Sequence, residues 1–224
     1  MNLDKPLLML VTSAAQMGQG QQTGLWLEEF AIPWLLFREK NIPVTVASPR
    51  GGKIPVDPNS VPDDAQKEAW QEAIEALQDT RPLEQVWEDG FVGVFVPGGH
   101  GAMFDMPDHP LVAAVMERTW AQEGLLAAVC HGPAALVGLR NEDGTPLVQN
   151  RTLTCFTNEE EREVGLDDVM PFLLATRLEE LGARLDLAEK FTAHVITDGR
   201  LVTGQNPQSS EAVAQAVVET LYSE

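Results

Sequence analysis

The most reactive side chain in this sequence of 224 residues is a cysteine at a predicted strand-to-helix turn. In the segment 124–139, GLLAAVCHGPAALVGL, a buried strand over Leu125–Val129 runs into Cys130, turns at His131, and enters a helix with Pro133 in its first turn. This is the layout of a nucleophile elbow, without the Gly-x-Ser-x-Gly motif itself. The helix dipole and unpaired N–H groups should lower the pKa of such a thiol. The alternative is a buried small hydrophobe, the usual fate of free cysteine.

The other candidate ligands and nucleophiles are weaker. Cys155 lies in an alternating stretch, RTLTCFTNEEE, without a helix start directly after it, so we expect it to pack in the core. His131 is adjacent to Cys130, but neighbours in a turn point in different directions, so a structural or substrate-contacting role stays open beside that of a base. The histidines at 100, 109, 131 and 194 are scattered without metal-ligand spacing, and we predict no metal site.

Short apolar runs alternate with amphipathic stretches and should position these residues. Continuous apolar runs suit strands that are buried on both faces of a parallel sheet. The pattern predicts an α/β fold with a doubly wound, mostly parallel sheet and helices on both faces. In HVITDGRLVTG, Asp198-Gly199 marks a hairpin and hence a small antiparallel addition near the C-terminus. The strands are predicted at Leu7–Val11, Val44–Ala47, Phe91–Val96 and Leu125–Val129, and helices at 24–40, 63–80, 111–120 and 212–221.

Composition limits the classes of partner. The chain carries 34 acidic against 15 basic side chains, a formal net charge of −19, so neither nucleic acid nor an anionic membrane surface is a favoured partner. No apolar stretch approaches the ~20 residues that span a bilayer. Two cysteines are too few for a disulfide scaffold, which favours the cytoplasm. We expect one domain over residues 1–224, because no linker or repeat divides the chain.

Three segments of the sequence are informative together: AVCHGPAAL, FVPGGHGAMFDMP and TGLWLEEFAIPW. In combination they resemble the ThiJ/PfpI superfamily, whose flavodoxin-like relatives include the class I glutamine amidotransferases. The heat-shock-31-like branch is the most similar, and the similarity spans nearly the whole chain. Members of that branch are associated with glutathione-independent glyoxalase III activity, protein deglycation and chaperone-like holding.

The resemblance implies a role for individual residues. Cys130 would be the nucleophile, His131 its neighbouring catalytic histidine, and Glu29 the acidic partner, with adjacent Glu28 as the alternative. Glu161 would orient His131, although Glu159 and Glu160 stand beside it and acids are ordinary at a helix start. The backbone N–H groups of Gly99, His100 and His131 would form an oxyanion hole.

Two further residues bear on Glu29. Pro33 cannot donate to the Glu29 carbonyl, so a helix there should loosen and help to turn Glu29 into a site; alternatively, Pro33 sits at a helix boundary. Like charges cannot lie side by side at low cost, so either Glu29 stays protonated and donates to the sulfur, or Cys130 loses its acidity. The resemblance implies the first, and Trp26, one turn before Glu29, would supply an apolar wall that raises the Glu29 pKa. Trp26 as a simple core residue is the alternative.

These residues predict a glyoxalase III-type lyase that converts methylglyoxal to D-lactate, or a protein deglycase, without a cofactor. The rivals are a cysteine peptidase or amidase, because the same groups serve acyl transfer, and a stress-related holdase with an incidental thiol. A glutamine amidotransferase is disfavoured because the chain has no late His and Glu spaced by one residue. The resemblance also implies a homodimer, to which the loop 51–62 could contribute.

Overall fold

A seven-stranded sheet with strand order β3-β2-β1-β4-β5-β9-β8 organises the molecule. The structure, a computed structural model, describes residues 5–223, so the two ends of the predicted domain 1–224 lie outside it. All neighbouring strands of the sheet are parallel except β8, which pairs antiparallel with β9. The strands are β1 Leu7–Leu10, β2 Val44–Ser48, β3 Arg81–Pro82, β4 Gly93–Val96, β5 Leu125–Val129, β8 Val195–Asp198 and β9 Leu201–Gly204; a separate parallel pair comprises β6 Thr152–Leu153 and β7 Arg184–Leu185.

Alternate residues of the central strands face two separate apolar clusters. Leu8 and Val94 belong to one cluster, whereas Leu7, Met9 and Phe95 belong to the other. A sheet that is buried on both faces needs helices on both, which is why its strands are continuous apolar runs rather than alternating ones. The predicted α/β class, the mostly parallel sheet and the hairpin at Asp198-Gly199 are all confirmed.

Helices cover both faces of the sheet. Apolar residues of α1, α3 and α8 join the cluster around Met9, and those of α5 and α7 join the cluster around Leu8. The α-helices are α1 Leu27–Glu39, α2 Asp64–Ala69, α3 Gln71–Ala76, α4 Ala102–Asp105, α5 Pro110–Ala121, α6 Asn158–Glu163, α7 Leu174–Glu180 and α8 Ser210–Tyr222. Within residues 5–223, no helix combines the length and the apolar character needed to cross a membrane.

Three helix predictions need correction. The helix expected over 63–80 breaks into α2 and α3 at Trp70, whose ψ of 12° departs from helical geometry while its ring is buried. The segment after Cys130 is not an α-helix but a buried 3-10 helix at Gly132–Leu136. Pro33 lies inside α1, so the interpretation of this proline as a helix boundary is wrong.

Candidate active site

Cys130 lies directly after β5, at the carboxyl end of the parallel strands, where open α/β sheets bind their ligands. Its N–H donates to the Gly204 carbonyl at 3.0 Å, and its own carbonyl accepts from the Phe156 N–H at 2.9 Å. Its φ of +60° is in the left-handed region, which a residue other than glycine enters only at a cost. The sharp turn predicted at this thiol is therefore present, and two neighbouring elements hold it.

His131, Glu161 and His100 form a hydrogen-bonded cluster beside the thiol. His131 Nδ1 lies 3.3 Å from Cys130 Sγ, and His131 Nε2 lies 2.7 Å from Glu161 Oε2. Although the two residues are adjacent in a turn, the imidazole does reach the sulfur. The other carboxylate oxygen, Glu161 Oε1, lies 2.8 Å from His100 Nε2, a contact of the His100 ring that the sequence did not predict.

The charge on Glu161 fixes the tautomer of both histidines. Burial acts to raise the pKa of Glu161, but the attraction of His131 and hydrogen bonds from both histidines lower it to about 2. Burial lowers the pKa of His131, with His100 nearby acting in the same direction. An ionised Glu161 accepts only, so both histidines carry a proton on the Nε2 that faces it, and a neutral His131 then has no proton on Nδ1. The lone pair of His131 Nδ1 therefore faces the Cys130 thiol.

The structure separates Glu29 from Glu28. Glu29, in the first turn of α1, is fully buried, and its Oε2 accepts the Gly98 N–H at 2.7 Å. Glu28 is half-buried at the cavity mouth, where its carboxylate is hydrogen-bonded to the Trp26 side chain. Of the two neighbours, it is Glu29 that lies beside the thiol.

Glu29 carries a proton at neutral pH. Burial raises its pKa to about 8, against smaller opposing effects of hydrogen bonds from Cys130 and Gly98. No donor reaches Glu29 Oε1, which is buried among the described residues. Protonation of Glu29 accounts for an oxygen without a donor, because a neutral carboxyl group needs fewer donors than a carboxylate. This protonation state is the one that the resemblance implies for Glu29.

The expected lowering of the thiol pKa is wrong. Burial raises the pKa of Cys130, the Glu29 carboxylate raises it further, and the N–H groups of Gly99 and His131 only partly offset this. Cys130 is 3% exposed, and the five residues of the 3-10 helix that follows are too few for a strong macrodipole. The thiol is therefore not acidified by its surroundings, and His131 Nδ1, 3.3 Å from Sγ, is a base within reach of its proton.

The glycine loop after β4 fits tightly around the thiol. A Cβ on Gly98 would lie 2.6 Å from the His131 nitrogen and 2.8 Å from Glu29 Oε2, so only glycine fits. Gly99 has a φ of +91° and would press a Cβ into the backbone of Gly24 and Trp26. The N–H groups of Gly99 and His131 are directed at Cys130 Sγ. Both are therefore placed beside the position where a bound substrate oxygen would acquire charge.

The thiol opens into a cavity of about 280 Å³. Its polar floor is formed by Gly99, His100, Cys130 and His131, and its walls are mostly apolar, with Glu28 and Gln208 as polar exceptions. The sequence predicted Trp26 as a wall residue, and Trp26 does line this cavity. The sequence did not predict the other apolar wall residues, which are Phe156, Val164, Phe191 and Pro207. They come from separate loops, and no motif links them in the sequence.

A larger cleft, of about 790 Å³, lies at the opposite edge of the sheet, where β5 and β9 begin. Arginine and acidic side chains line it, including Arg118, Arg140 and Glu117. Its lining residues include no cysteine and no histidine, so this cleft holds none of the nucleophilic groups found around Cys130.

Two of the remaining predictions concern metal binding and Cys155. The ligand atoms of His100, His131 and Glu161 lie within 4.8 Å of one another, close enough to hold a metal ion. Distance along the sequence was therefore a poor reason to exclude a metal here, although these atoms already satisfy each other by hydrogen bonds.

Cys155 is fully buried in the apolar core as expected, and burial raises its pKa.

The fold and the site define a class of protein: a doubly wound α/β domain that carries a cysteine elbow, with a paired histidine and glutamate, at the carboxyl edge of its sheet. Residues 23–220 match the model of the DJ-1/PfpI family. The chain belongs to this family.

Individual relatives are similar over nearly the whole chain. The glutathione-independent glyoxalase hsp3101 of Schizosaccharomyces pombe is 30% identical, over 91% of this chain and 90% of the relative. The crystal structure of glyoxalase III from Candida albicans is 28% identical, with a TM-score of 0.90 and 98% of each chain covered. The Rapid Encystment Protein of 24 kDa from Francisella tularensis is 34% identical, with a TM-score of 0.91, over 97% of this chain and 99% of that one.

Proposed function

We propose that this protein is a glutathione-independent glyoxalase that converts methylglyoxal and water to D-lactate. The contact between Cys130 Sγ and His131 Nδ1, with Glu161 on the far side of the ring, is the observation that carries the proposal. The glyoxalase names of relatives that match most of the chain support it. As predicted from the sequence, the proposal needs no cofactor.

The first step is addition of the thiol to the aldehyde. His131 Nδ1 takes the Cys130 proton as Sγ attacks the aldehyde carbon, and the new alkoxide lies at the Gly99 and His131 N–H groups. His131 then returns the proton to the alkoxide, which gives a neutral hemithioacetal. The ionised Glu161 stabilises the imidazolium that forms in between.

The second step moves hydrogen between adjacent carbons. His131 removes the proton from the former aldehyde carbon, while the protonated Glu29 donates to the neighbouring ketone oxygen, which gives an enediol. His131 then protonates the second carbon, and Glu29 recovers a proton from the hydroxyl of the first. One carbon is thereby oxidised and its neighbour reduced, and the product is a lactoyl thioester. Water hydrolyses the thioester to lactate and restores the thiol.

The shape of the cavity favours a small carbonyl compound over a peptide. The thiol is almost wholly buried, and the apolar side chains of Trp26, Phe156 and Phe191 wall a space of about 280 Å³. A peptidase must admit an extended chain on both sides of the attacked bond. Deglycation is the second activity that this site would support, because an early sugar adduct presents a small carbonyl group at the end of a flexible side chain.

The test is the formation of lactate from methylglyoxal without glutathione. We expect Cys130→Ala to lose activity by on the order of 10³-fold or more, because the nucleophile is removed. Cys155→Ala is the matched control and should keep turnover, since Cys155 packs in the core. A chelator should change neither result. Wild-type turnover by Cys130→Ala would refute the proposal.

We also propose that the protein is a cytoplasmic homodimer. Both cysteines are free, which suits a reducing compartment. Val61, in the loop expected to contribute to an interface, is 62% exposed beside an apolar groove that includes Leu27 and Ile74. Sedimentation velocity tests the assembly, and a monomer at micromolar concentration would contradict it.

A further inference from the structure

Phe191 has an unusual backbone conformation at the mouth of the active-site cavity. Its φ is +55°, in the left-handed region, which a bulky aromatic residue seldom adopts. Its side chain lines the cavity and is 37% exposed, with its ring centroid 6.4 Å from that of Phe156. A strained residue persists only where its surroundings hold it, and such residues cluster at ligand sites.

A buried carboxylate holds this backbone in place. Glu160 is fully buried, and its Oε1 accepts the Phe191 N–H and the Asn206 side-chain amide, both at 2.9 Å. Its Oε2 accepts the Thr157 N–H at 2.9 Å. The donors to Glu160 are thus backbone and amide N–H groups. Glu160 connects the start of α6, which also carries Glu161, to the loop that carries Phe191.

Further bonds hold the loop on both sides of Phe191. The Asn206 amide donates to the Thr192 carbonyl at 2.8 Å, and the Gln205 amide donates to the Ala188 carbonyl at 3.3 Å. Lys190 pairs with Glu163 of α6 at 2.9 Å. The backbone that carries Phe191 is therefore held by the buried Glu160 and by polar contacts on both sides of it, although the Phe191 ring itself is partly exposed.

We propose that Phe191 is a specificity-determining residue and that Glu160 positions it. The ring provides an apolar surface for the carbon substituent of a 2-oxoaldehyde whose aldehyde carbon is at Cys130. Together with Phe156 and Val164, it gives the cavity an apolar wall, while Glu28 and Gln208 are polar groups elsewhere in the lining. The protein then prefers 2-oxoaldehydes with an aryl or alkyl substituent over glyoxal, which has none. This inference rests on the proposed glyoxalase activity.

The experiment measures the ratio of kcat/KM for phenylglyoxal to that for glyoxal. Phe191→Gly removes the ring and tolerates the positive φ, so loss of folding does not confuse the result. We expect the ratio to fall roughly 5- to 10-fold, the effect of one aromatic contact. Leu187→Ala is the matched control, because Leu187 is an exposed apolar residue of the same loop that does not line the cavity. The ratio of the two kcat/KM values in Leu187→Ala should stay at the wild-type value. A ratio in Phe191→Gly within twofold of wild type would overturn the proposal.

A double-mutant cycle tests the role of Glu160. Glu160→Gln should lower the same ratio by freeing the loop, and adding Phe191→Gly should lower it no further, because Glu160 acts on the ratio through the ring. Additive losses would show that Glu160 does not act through Phe191.

A second measurement separates this inference from the proposed function. Alkylation of Cys130 by phenacyl bromide and by iodoacetamide is compared in wild type and in Phe191→Gly, with no requirement for turnover. If the wild type turns over neither dicarbonyl, the proposed function fails. The inferred apolar wall then stands if Phe191→Gly slows phenacyl bromide relative to iodoacetamide by roughly the same 5- to 10-fold, and it fails if the relative rate is unchanged.

Discussion

At the scale of single residues, the site combines a protonated carboxyl group, that of Glu29, with a neutral Cys130 thiol rather than a thiolate. Glu29 and Cys130 are both buried, and burial raises the pKa of each; Glu29 raises the pKa of Cys130 further, whereas a hydrogen bond with Cys130 partly offsets the rise at Glu29. A neutral carboxyl group avoids two adjacent negative charges and can donate to sulfur. The ionised carboxylate of the site is Glu161, which is stabilised by two histidines. One buried glutamate is thus neutral and the other charged because their partners differ.

The protonated Glu29 should make stability depend on pH. Its folded pKa of about 8 is above the ordinary value of 4.5, so its stabilising contribution is complete below pH 4.5 and is lost as pH rises through 8. Glu29→Gln is neutral throughout and can still accept from Gly98. We expect wild type to lose stability relative to this variant between about pH 5 and 8, by on the order of 5 kcal/mol at most. Denaturant unfolding at a series of pH values measures the difference.

Glu161 provides an internal control for that experiment. Its pKa of about 2 is below its ordinary value, so its contribution is complete above pH 4.5 and is lost only as pH falls towards 2. The pH range over which Glu161 loses its stabilising contribution therefore does not overlap the range over which Glu29 loses its own. Parallel stability curves for wild type and Glu29→Gln from pH 5 to 8 would show that Glu29 is already ionised in the folded protein.

At the scale of elements, α6 directs two neighbouring glutamates to different tasks. Thr157 caps this helix: its hydroxyl accepts the Glu160 N–H at 3.0 Å while Glu160 accepts the Thr157 N–H in return. This reciprocal capping box fixes the first turn. Because Glu161 is the next residue in the same turn, the cap also fixes the carboxylate that faces both histidines.

Removing the cap should therefore impair the site as well as the helix. We expect Thr157→Ala to cost about 1 kcal/mol in unfolding free energy, the usual effect of losing an N-cap. We also expect it to lower kcat for methylglyoxal roughly tenfold, because Glu161 is misplaced by a small distance. Thr157→Ser keeps the hydroxyl and should retain both properties. Full activity in Thr157→Ala, measured at a temperature where it is folded, would show that α6 keeps its geometry without the cap.

Periodicity predicted the elements better than it predicted the contacts within the site. Four of the five strands up to β5, all except the two-residue β3, and the hairpin follow from apolar runs and an Asp-Gly turn, so the sequence alone located the carboxyl edge where Cys130 lies. Trp70 breaks a run of strong helix formers because its ring is buried, which is tertiary packing that overrides local propensity. The 3.3 Å contact of His131 with the sulfur and the placement of Phe191 depend on backbone angles at positive φ, and residue types at those positions do not reveal them.

At the scale of the whole molecule, the net charge of −19 acts on stability and on charged reagents. Like charges on a compact surface repel one another, and salt screens them over about 10 Å at 0.1 M. A neutral dicarbonyl has no net charge for this field to attract or repel. Contacts of a substrate with the apolar wall of the cavity do not depend on salt either. The stability of the protein should therefore change with ionic strength, whereas turnover of a neutral substrate at Cys130 should not.

The last prediction separates these two responses. Raising the salt concentration should raise the unfolding midpoint while leaving kcat/KM for methylglyoxal within about twofold, because only surface repulsion is screened. The charge of the reagent is the matched control: alkylation of Cys130 by anionic iodoacetate should accelerate with salt roughly two- to fivefold relative to neutral iodoacetamide. Both rates are measured in Cys155→Ala protein, so that only one thiol reports. If the two reagents responded equally to salt, the field of the acidic surface would not reach the cavity, and the insensitivity of methylglyoxal turnover would need another cause.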